Sequence, residues 1–272
     1  MLFVLNNLVY LLGAAGIGFA LLYYVLRDHR GLVICLSCAF AMPVSIAFLS
    51  PSIGISHFLI GLTMLLFWRE RAHFGAIFVF GMLTLPMMPQ PITFANIYLL
   101  DFSFGNAYTI GAILGMFFGG HARKSMFSFA DLPVAAIITV FYLATVRETS
   151  ATNAMREFFN YLLSYVLPYY VVSRCIHGPK QAQSVMLALA GSAVVLSAIA
   201  LFEVWRAWPL YRGIWTHYGI ELGSGASVKL RGGLIRAPGP YPEPLSLAFA
   251  MTVGFVALLS MRQQLQHRRH YI

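Results

Sequence analysis

Charged side chains are scarce in this sequence. Asp, Glu, Lys and Arg make up 10% of its 272 residues, whereas hydrophobic residues make up 59%, and the mean hydropathy is +0.75. Soluble domains carry roughly 25% charged residues, so this chain lacks the polar side chains needed to cover a water-exposed surface. The composition therefore excludes a soluble domain of any size and indicates an integral membrane protein.

The short alternating segments typical of membrane β-barrels are also missing. Hydrophobic runs near the roughly 20 residues that cross a bilayer recur along the whole chain instead. In lipid, a helix satisfies its own backbone amides. The sequence therefore predicts an all-α, polytopic transmembrane bundle forming one domain over 1–272, with about nine spans at 2–26, 31–49, 53–68, 74–88, 105–120, 126–146, 158–173, 182–202 and 244–261.

The fourth of these spans is the shortest. At 15 residues it would reach only about 22 Å as a straight helix. Pro86, Pro89 and Pro91 interrupt the stretch that follows, and proline removes a backbone donor and blocks a continuing helix. We expect a broken or re-entrant segment around 85–104, buried by the rest of the protein.

Cysteine is rare as well, with three residues in all. Cys35 and Cys38 form a C-x-x-C pattern inside an apolar span, and Cys175 lies near a predicted cytoplasmic helix end. Redox or metal chemistry needs thiolates, which apolar surroundings disfavour. We therefore expect the pair to pack against helices or lipid.

Acidic residues are half as numerous as basic ones, 9 against 18, and the net charge is +9. Lys and Arg in short loops favour the cytoplasmic side. With the N-terminus outside, the cytoplasmic segments hold eleven basic residues, the short outer loops hold Arg147 and Arg156, and the segment 203–240 holds the other five. This bias predicts an N-out, C-in orientation, with the charge meeting anionic lipid head groups rather than nucleic acid.

Three glycines, Gly111, Gly115 and Gly119, recur every four residues on one predicted helix face. Small residues at this spacing let two helices approach closely. The stripe favours packing within the bundle, and the alternative is a binding surface for another subunit.

Two ionisable residues, His57 and Asp131, lie at or near membrane depth, where function is the usual hypothesis. Asp131 precedes Leu132 and Pro133 at the start of a span, a pattern that favours a helix cap followed by an early proline. His57 lies near the outer interface, where packing is favoured over a ligand or proton role.

The segment 203–240 is rich in polar and aromatic residues. Arginine binds phosphate oxygens with a bidentate fork. Arg231 and Arg236, five residues apart, with Arg212 before them, are therefore candidates for binding a lipid-linked diphosphate beside the membrane. The alternative is that they anchor the chain at head-group phosphates, with Trp and Tyr as an aromatic belt. The bases available nearby are Glu203, His217, Glu221 and Glu243.

Four stretches together resemble bacterial O-antigen ligases and polysaccharide polymerases, over about residues 120–260: RETSATNAMR at 147–156, LPYYVVSR at 167–174, LFE at 201–203 and LRGGLIRAPGPYPEPLSLAFAM at 230–251. Their order and spacing carry the resemblance. It implies a multi-span enzyme of the bacterial cytoplasmic membrane that moves a glycan from an undecaprenyl diphosphate carrier to an acceptor on the outer face. It also implies no nucleotide-sugar cofactor and no metal, and a diphosphate held by Arg231 and Arg236.

Two departures from that family bear on catalysis. Relatives often carry Gly-His-Pro where this chain has Pro242, Glu243 and Pro244, and they continue into a further outer loop with a catalytic histidine, whereas this sequence stops at 272. His217, as a histidine the usual residue type for a general base, and Glu243 are the candidate catalytic residues. We expect this polypeptide alone not to transfer glycan. The alternatives are a non-catalytic transmembrane subunit of a larger assembly and, less favoured by the few ionisable residues in its spans, a transporter.

Overall fold

The structure is a computed structural model that describes residues 2–94, 97–119, 128–220 and 230–267. It is predominantly helical. The described helices, in chain order, are α1 Leu2–Val25, α2 Arg30–Leu49, α3 Ile53–Leu66, α4 Phe74–Thr84, α5 Phe104–Gly119, α6 Asp131–Glu148, α7 Ala151–Tyr161, α8 Leu167–Cys175, α9 Pro179–Arg206, α10 Arg212–His217 and α11 Pro244–His267. A short 3₁₀ turn, Arg27–His29, precedes α2, and a π-helical turn, Leu162–Val166, joins α7 to α8.

Four of the described helices are long and apolar enough to cross a membrane. They are α1, α2 with its preceding turn, α9, and α11 from Pro244 to Met261, with lengths of 24, 23, 28 and 18 residues. The apolar helices α3, α4 and α5 are shorter, at 14, 11 and 16 residues. An 11-residue helix extends about 16 Å, well short of the roughly 30 Å hydrocarbon core. The protein is therefore predominantly helical, with four helices of membrane-spanning length among the described residues. Each of the nine predicted spans overlaps a helix.

The expected break after the fourth span is present. Helix α4 ends at Thr84, and the chain then forms an antiparallel hairpin of strands β1 (Gln90–Phe94) and β2 (Ile97–Phe102) before α5. Three prolines in this stretch explain why the helix stops, since each removes a backbone donor. The hairpin pairs the facing backbone groups of its two strands, and Asn160 and Arg156 bond to backbone groups of β2.

Helix α9 is the centre of the packing and contacts α1, α4 and α11. The core around it is apolar and aromatic, with Phe40, Phe78 and Tyr108 fully buried. On α1, Gly18 lies where an added Cβ would come within 2.9 Å of the Val195 Cα on α9. Close backbone approach through small residues thus joins the central helices, as is usual where burial from water does not drive packing.

The glycine stripe on α5 packs inside the bundle. A Cβ added at Gly111 would lie 1.9 Å from the carbonyl oxygen of Gly61 on α3, and one at Gly115 would lie 3.2 Å from the ring of Phe74. The packing interpretation is confirmed for these two residues, because their missing side chains allow α3 and α5 to touch.

The prediction that Asp131 caps α6 is correct in placing its carboxylate at the helix start, where it accepts the Ser128 amide at 2.7 Å, and wrong in making Asp131 the N-cap residue. The helix begins at Asp131, and the residue before it, Ala130, makes no side-chain capping bond. The Asp131 carboxylate also pairs with Arg174 Nη2 at 2.6 Å and accepts a hydrogen bond from the Tyr169 hydroxyl at 2.8 Å, both from α8. An ion pair with little exposed surface therefore ties the start of α6 to the end of α8.

Two other features singled out in the sequence are His57 and the Cys35–Cys38 pair. The Nδ1 atom of His57 lies 2.8 Å from the Ile53 carbonyl oxygen one turn earlier, and its ring packs against Phe102 and Phe104. Cys35 and Cys38 are free thiols in α2. Packing accounts for the position of His57, and the cysteine pair forms no disulfide.

The stretch 147–157, predicted as an outer loop, is largely helical because α7 begins at Ala151. Ser150 accepts a hydrogen bond from the Asn153 amide and so caps this helix. From α7, Arg156 donates to the Tyr98 carbonyl oxygen at 2.8 Å and stacks over the Tyr98 ring. Helix α7 therefore packs on the β1–β2 hairpin.

Candidate functional site

Residues 203–243, here called the end segment, close one end of the bundle. The segment is described over 203–220 and 230–243, so Glu221 lies outside the described residues. The Met87 amide donates to the Pro240 carbonyl oxygen at 2.8 Å, which joins the end segment to the stretch after α4. The same end of the bundle carries the turn between α2 and α3, which also contacts the end segment.

A fully buried carboxylate, Glu203, organises the end segment. It lies in the last turn of α9 and has 0% of its surface exposed. Its Oε1 accepts the Leu210 amide at 2.9 Å, and its Oε2 accepts the Gly239 amide at 3.1 Å. These bonds satisfy two backbone donors at a position closed to water. One side chain thus binds together two stretches of backbone that are 29 residues apart in sequence.

The chain leaves α9 by a sharp reversal. Ala207 adopts a left-handed conformation with φ of 50°, and the Trp208 amide donates to the Glu203 carbonyl oxygen at 3.0 Å. A left-handed residue after the last helical turn is a common helix ending. The reversal brings Leu210 back beneath the carboxylate of Glu203.

Two tyrosines fasten the end segment to α4. The Tyr211 hydroxyl donates to the Thr84 carbonyl oxygen at 3.0 Å, and the Tyr241 hydroxyl donates to the Leu83 carbonyl oxygen at 2.8 Å. The last carbonyls of a helix have no partner within it, so these hydroxyls supply the missing donors. Burial raises the pKa of both tyrosines, which keeps them protonated and able to donate.

Helix α10 is held against the end of α2 in the same way. The Tyr218 hydroxyl donates to the Ala47 carbonyl oxygen at 2.8 Å and also hydrogen-bonds the Ser56 hydroxyl. His217 Nε2 lies 2.8 Å from the Ser50 carbonyl oxygen. A carbonyl only accepts, so Nε2 carries the proton and Nδ1 is the ring position left for a base. His217, one of the two candidate catalytic residues, thus also anchors α10.

The candidate phosphate-binding arginines come from a tight hairpin. Strand β3 (Leu230–Arg231) pairs with β4 (Leu234–Ile235) through a turn at Gly232 and Gly233, whose φ angles of 58° and 79° are left-handed. Two-residue turns with both φ positive fit the twist of a hairpin. The backbone of Arg231 lies in β3, while its side chain lies outside the described part of the structure.

Arg236 follows β4 directly and is exposed. Within the described part of the chain it forms no hydrogen bond or ion pair. The next residue, Ala237, is buried with Leu196 of α9 and Leu247 of α11. The backbone beneath Arg236 is therefore fixed while its guanidinium faces outward.

The other two candidates lie at helix starts. Arg212 is the first residue of α10 and is half-buried, and exposed Glu243 precedes Pro244 at the start of α11. Helix α10 packs against α1 and α2, whereas β4 packs against α9. The stretch carrying Arg212 and His217 and the stretch carrying Arg236 therefore rest on different helices, and Glu203 is the side chain that links them.

The tyrosines and Glu203 were not predicted to have these roles. Sequence reasoning placed Glu203 among possible bases and the tyrosines in an aromatic belt. A carboxylate one turn from the end of a long apolar helix was the available signal for a buried acceptor. Among the described residues, no group of three His, Cys, Asp or Glu side chains comes together to hold a metal.

Comparisons with protein-family models, with curated proteins and with solved structures find no match to this chain. Its function must therefore be argued from the chemistry of this end of the bundle. That chemistry combines an exposed arginine on a loop held by buried Ala237 and the Gly239–Glu203 bond with apolar helices of membrane-spanning length. Such an arrangement suits an anion that is attached to a hydrophobic chain.

Proposed function

We propose that the protein binds the diphosphate of a lipid-linked glycan at the end segment, on the outer face of a bacterial cytoplasmic membrane. Arg236 and Arg231 are the residues that contact the phosphates, and Arg212 is the third candidate. The resemblance to O-antigen ligases and polysaccharide polymerases supports the carrier, an undecaprenyl diphosphate. The proposal includes the nine spans predicted from the hydrophobic runs. It also includes the N-out orientation predicted from the charge distribution.

The observation that carries this proposal is the exposed Arg236 on a buried, hydrogen-bonded loop. Guanidinium groups bind phosphate best when their backbone is already placed, because less ordering is needed on binding. Glu203 and Tyr241 supply this order through bonds to Gly239 and Leu83. A head-group anchor at a membrane surface needs no such fixed loop.

Transfer of the glycan is a separate step from binding, and the proposal does not require it. A general base must lie within about 2.6–3.2 Å of the attacking hydroxyl. His217 has Nε2 on a backbone carbonyl and would act only through Nδ1. Glu243 is exposed and stands at the entry of α11. This engagement of His217 favours binding over catalysis by this chain alone.

The affinity of Arg236 variants tests the proposal. In phosphatidylcholine nanodiscs, Arg236→Ala is expected to weaken binding of a polyprenyl diphosphate by about tenfold, or about 1.4 kcal/mol. Arg236→Lys is expected to recover part of this loss, because lysine is a point charge without the bidentate fork. Microscale thermophoresis with the labelled protein measures both values.

Arg206 gives a matched control for this experiment. It lies at the same end of the bundle, in the last turn of α9, with its guanidinium 5.7 Å from the centroid of the Trp205 ring. Arg206→Ala is expected to leave the affinity unchanged. Equal losses in the Arg206 and Arg236 variants, or full recovery by lysine, would support simple head-group anchoring and reject the proposed site.

The proposed orientation of the protein in the membrane is tested by cysteine labelling. In a cysteine-free background, a membrane-impermeant maleimide is expected to label Thr216→Cys in intact cells, because Thr216 is an exposed position beside His217. It is expected to label Arg71→Cys, in the turn between α3 and α4, only after permeabilisation. The expectation follows from the excess of basic residues in the proposed cytoplasmic loops. The reverse pattern would invert the topology.

A further inference from the structure

A groove runs between α9 and α11 at mid-height. It has a volume of about 410 Å³ and is lined by small and apolar residues from both helices, among them Ala190, Ala193, Ser197, Met251, Gly254 and Phe255. This volume lies within the roughly 300–1,000 Å³ of small-molecule sites. The lining is mostly carbon, so the groove suits a hydrocarbon rather than a polar ligand.

The groove lies beside a close approach of the two helices at Gly254. A Cβ added at Gly254 would lie 2.5 Å from the Ala193 Cβ and 2.6 Å from the Leu189 carbonyl oxygen. The small side chains beside this contact leave space that a larger residue would fill. Phe255 and Leu258, both exposed, form one rim of this space.

Met251 connects the groove to the loop between β4 and α11, residues 236–243, here called the Arg236 loop. It lines the groove and also packs against the buried cluster of Leu196, Ala237 and Leu247. Ala237 is the residue after Arg236. Apolar packing is therefore continuous from Ala237, at the base of the Arg236 loop, to the wall of the groove at Met251.

The dimensions agree with this connection. Gly254 lies ten residues after Pro244, at which α11 begins. At 1.5 Å per residue that is a depth of about 15 Å, half of the roughly 30 Å hydrocarbon core. A lipid with its phosphates at Arg236 would bring the middle of its chain to this depth.

We infer that the groove between α9 and α11 holds the hydrocarbon chain of the lipid diphosphate whose phosphates meet Arg236. The inference rests on the function proposed above and adds a second contact to the same ligand. The Arg236 loop selects a ligand with a phosphate head group, and the groove selects a long apolar chain. Bulk phospholipid is the competing occupant, and it lacks the second phosphate.

Photolabelling tests where the hydrocarbon chain of the lipid lies. A polyprenyl diphosphate carrying a diazirine partway along its chain is incorporated into phosphatidylcholine nanodiscs with the full protein and irradiated. Mass spectrometry is expected to find the label on α9 and α11 peptides that line the groove. Excess unlabelled polyprenyl diphosphate is expected to remove the label, and excess phosphatidylglycerol is expected to leave it.

Thr252→Phe fills the groove, since Thr252 lines it and is exposed. It is expected to lower labelling about tenfold, equivalent to about 1.4 kcal/mol. Val256→Phe, one turn further along α11 at an exposed position outside the lining, is the matched control and is expected to label as the unmodified protein does. Thermal unfolding of both variants confirms that they are folded.

The outcomes separate the groove from the head-group site. Unchanged labelling in Thr252→Phe, label on other helices, or displacement by phosphatidylglycerol would overturn the groove assignment. If Arg236→Ala still weakens binding in that case, the proposed head-group site remains. If Arg236→Ala has no effect on binding, both the proposed function and the inference fail.

Discussion

Replacing Glu203 with alanine is expected to release the end segment from the bundle. The change leaves the Leu210 and Gly239 amides buried without an acceptor, and each unsatisfied buried group costs about 1–3 kcal/mol. We expect a loss of about 3 kcal/mol in the free energy of unfolding, or a fall of about 6–12 °C in the thermal midpoint for a chain of this size. Intrinsic tryptophan fluorescence in detergent measures the midpoint.

Limited trypsin digestion adds a local measurement. Cleavage after Arg206, Arg212 and Arg236 is expected to accelerate in Glu203→Ala, because these residues flank the two stretches that Glu203 joins. Glu203→Gln is expected to be intermediate, since its amide group keeps one acceptor and presents a donor to the other backbone amide.

Glu148→Ala is the control, because Glu148 is an exposed carboxylate at the end of α6. It is expected to change the thermal midpoint little, as exposed substitutions usually do. An equal midpoint and an equal cleavage rate in Glu203→Ala and the unmodified protein would show that the end segment is held without the carboxylate. Glu203 would then not be what holds the backbone near Arg236 in place.

Gly111→Ala is expected to disrupt the contact between α3 and α5. The added Cβ would lie 1.9 Å from the Gly61 carbonyl oxygen and 2.7 Å from the Gly61 carbonyl carbon. Both are backbone atoms, so a side-chain rotation cannot relieve the overlap and the helices must separate. Overpacking typically costs about 1–3 kcal/mol, and we expect a loss near the upper end. The thermal midpoint and the monodisperse fraction on gel filtration report it.

A graded glycine series makes this test specific. A Cβ at Gly115 would meet the Phe74 ring at 3.2 Å, and one at Gly13 in α1 would meet nothing within 4 Å. Alanine is expected to cost most at position 111, less at 115 and nothing at 13, where it also favours the helix. Equal midpoints for the variants at 111 and 13 would contradict the close contact.

Much of the fold was predictable from local patterns. Hydrophobic runs placed a helix in each predicted span, and the prolines after α4 marked the end of that helix. The glycine spacing on α5 indicated a packing face that the structure confirms at Gly111 and Gly115. These features depend on residues near one another in sequence, so the pattern itself carries the information.

Contacts between stretches far apart in sequence were less predictable. Residues 151–157 read as a loop because they are polar, yet they form part of α7, whose Arg156 bonds to the β1–β2 hairpin. Asp131 had the pattern of a cap and accepts the nearby Ser128 amide, but its ion pair with Arg174, 43 residues away, was not predicted. The sequence identified Arg236 as a candidate because it is an arginine. It did not predict the buried loop that carries this residue.

The sequence by itself determined that the chain belongs in a lipid bilayer and that its structure is mainly helical. With 10% charged residues and repeated apolar runs, this chain has too little polar surface for water and must satisfy its backbone in helices. What only the tertiary structure decided is which polar groups meet. Glu203, Tyr211 and Tyr241 bind backbone atoms at positions 210, 84 and 83, and composition or periodicity cannot predict such pairs. The physical reason is that a buried hydrogen bond depends on the distance and direction between two atoms, and only the packed helices set both.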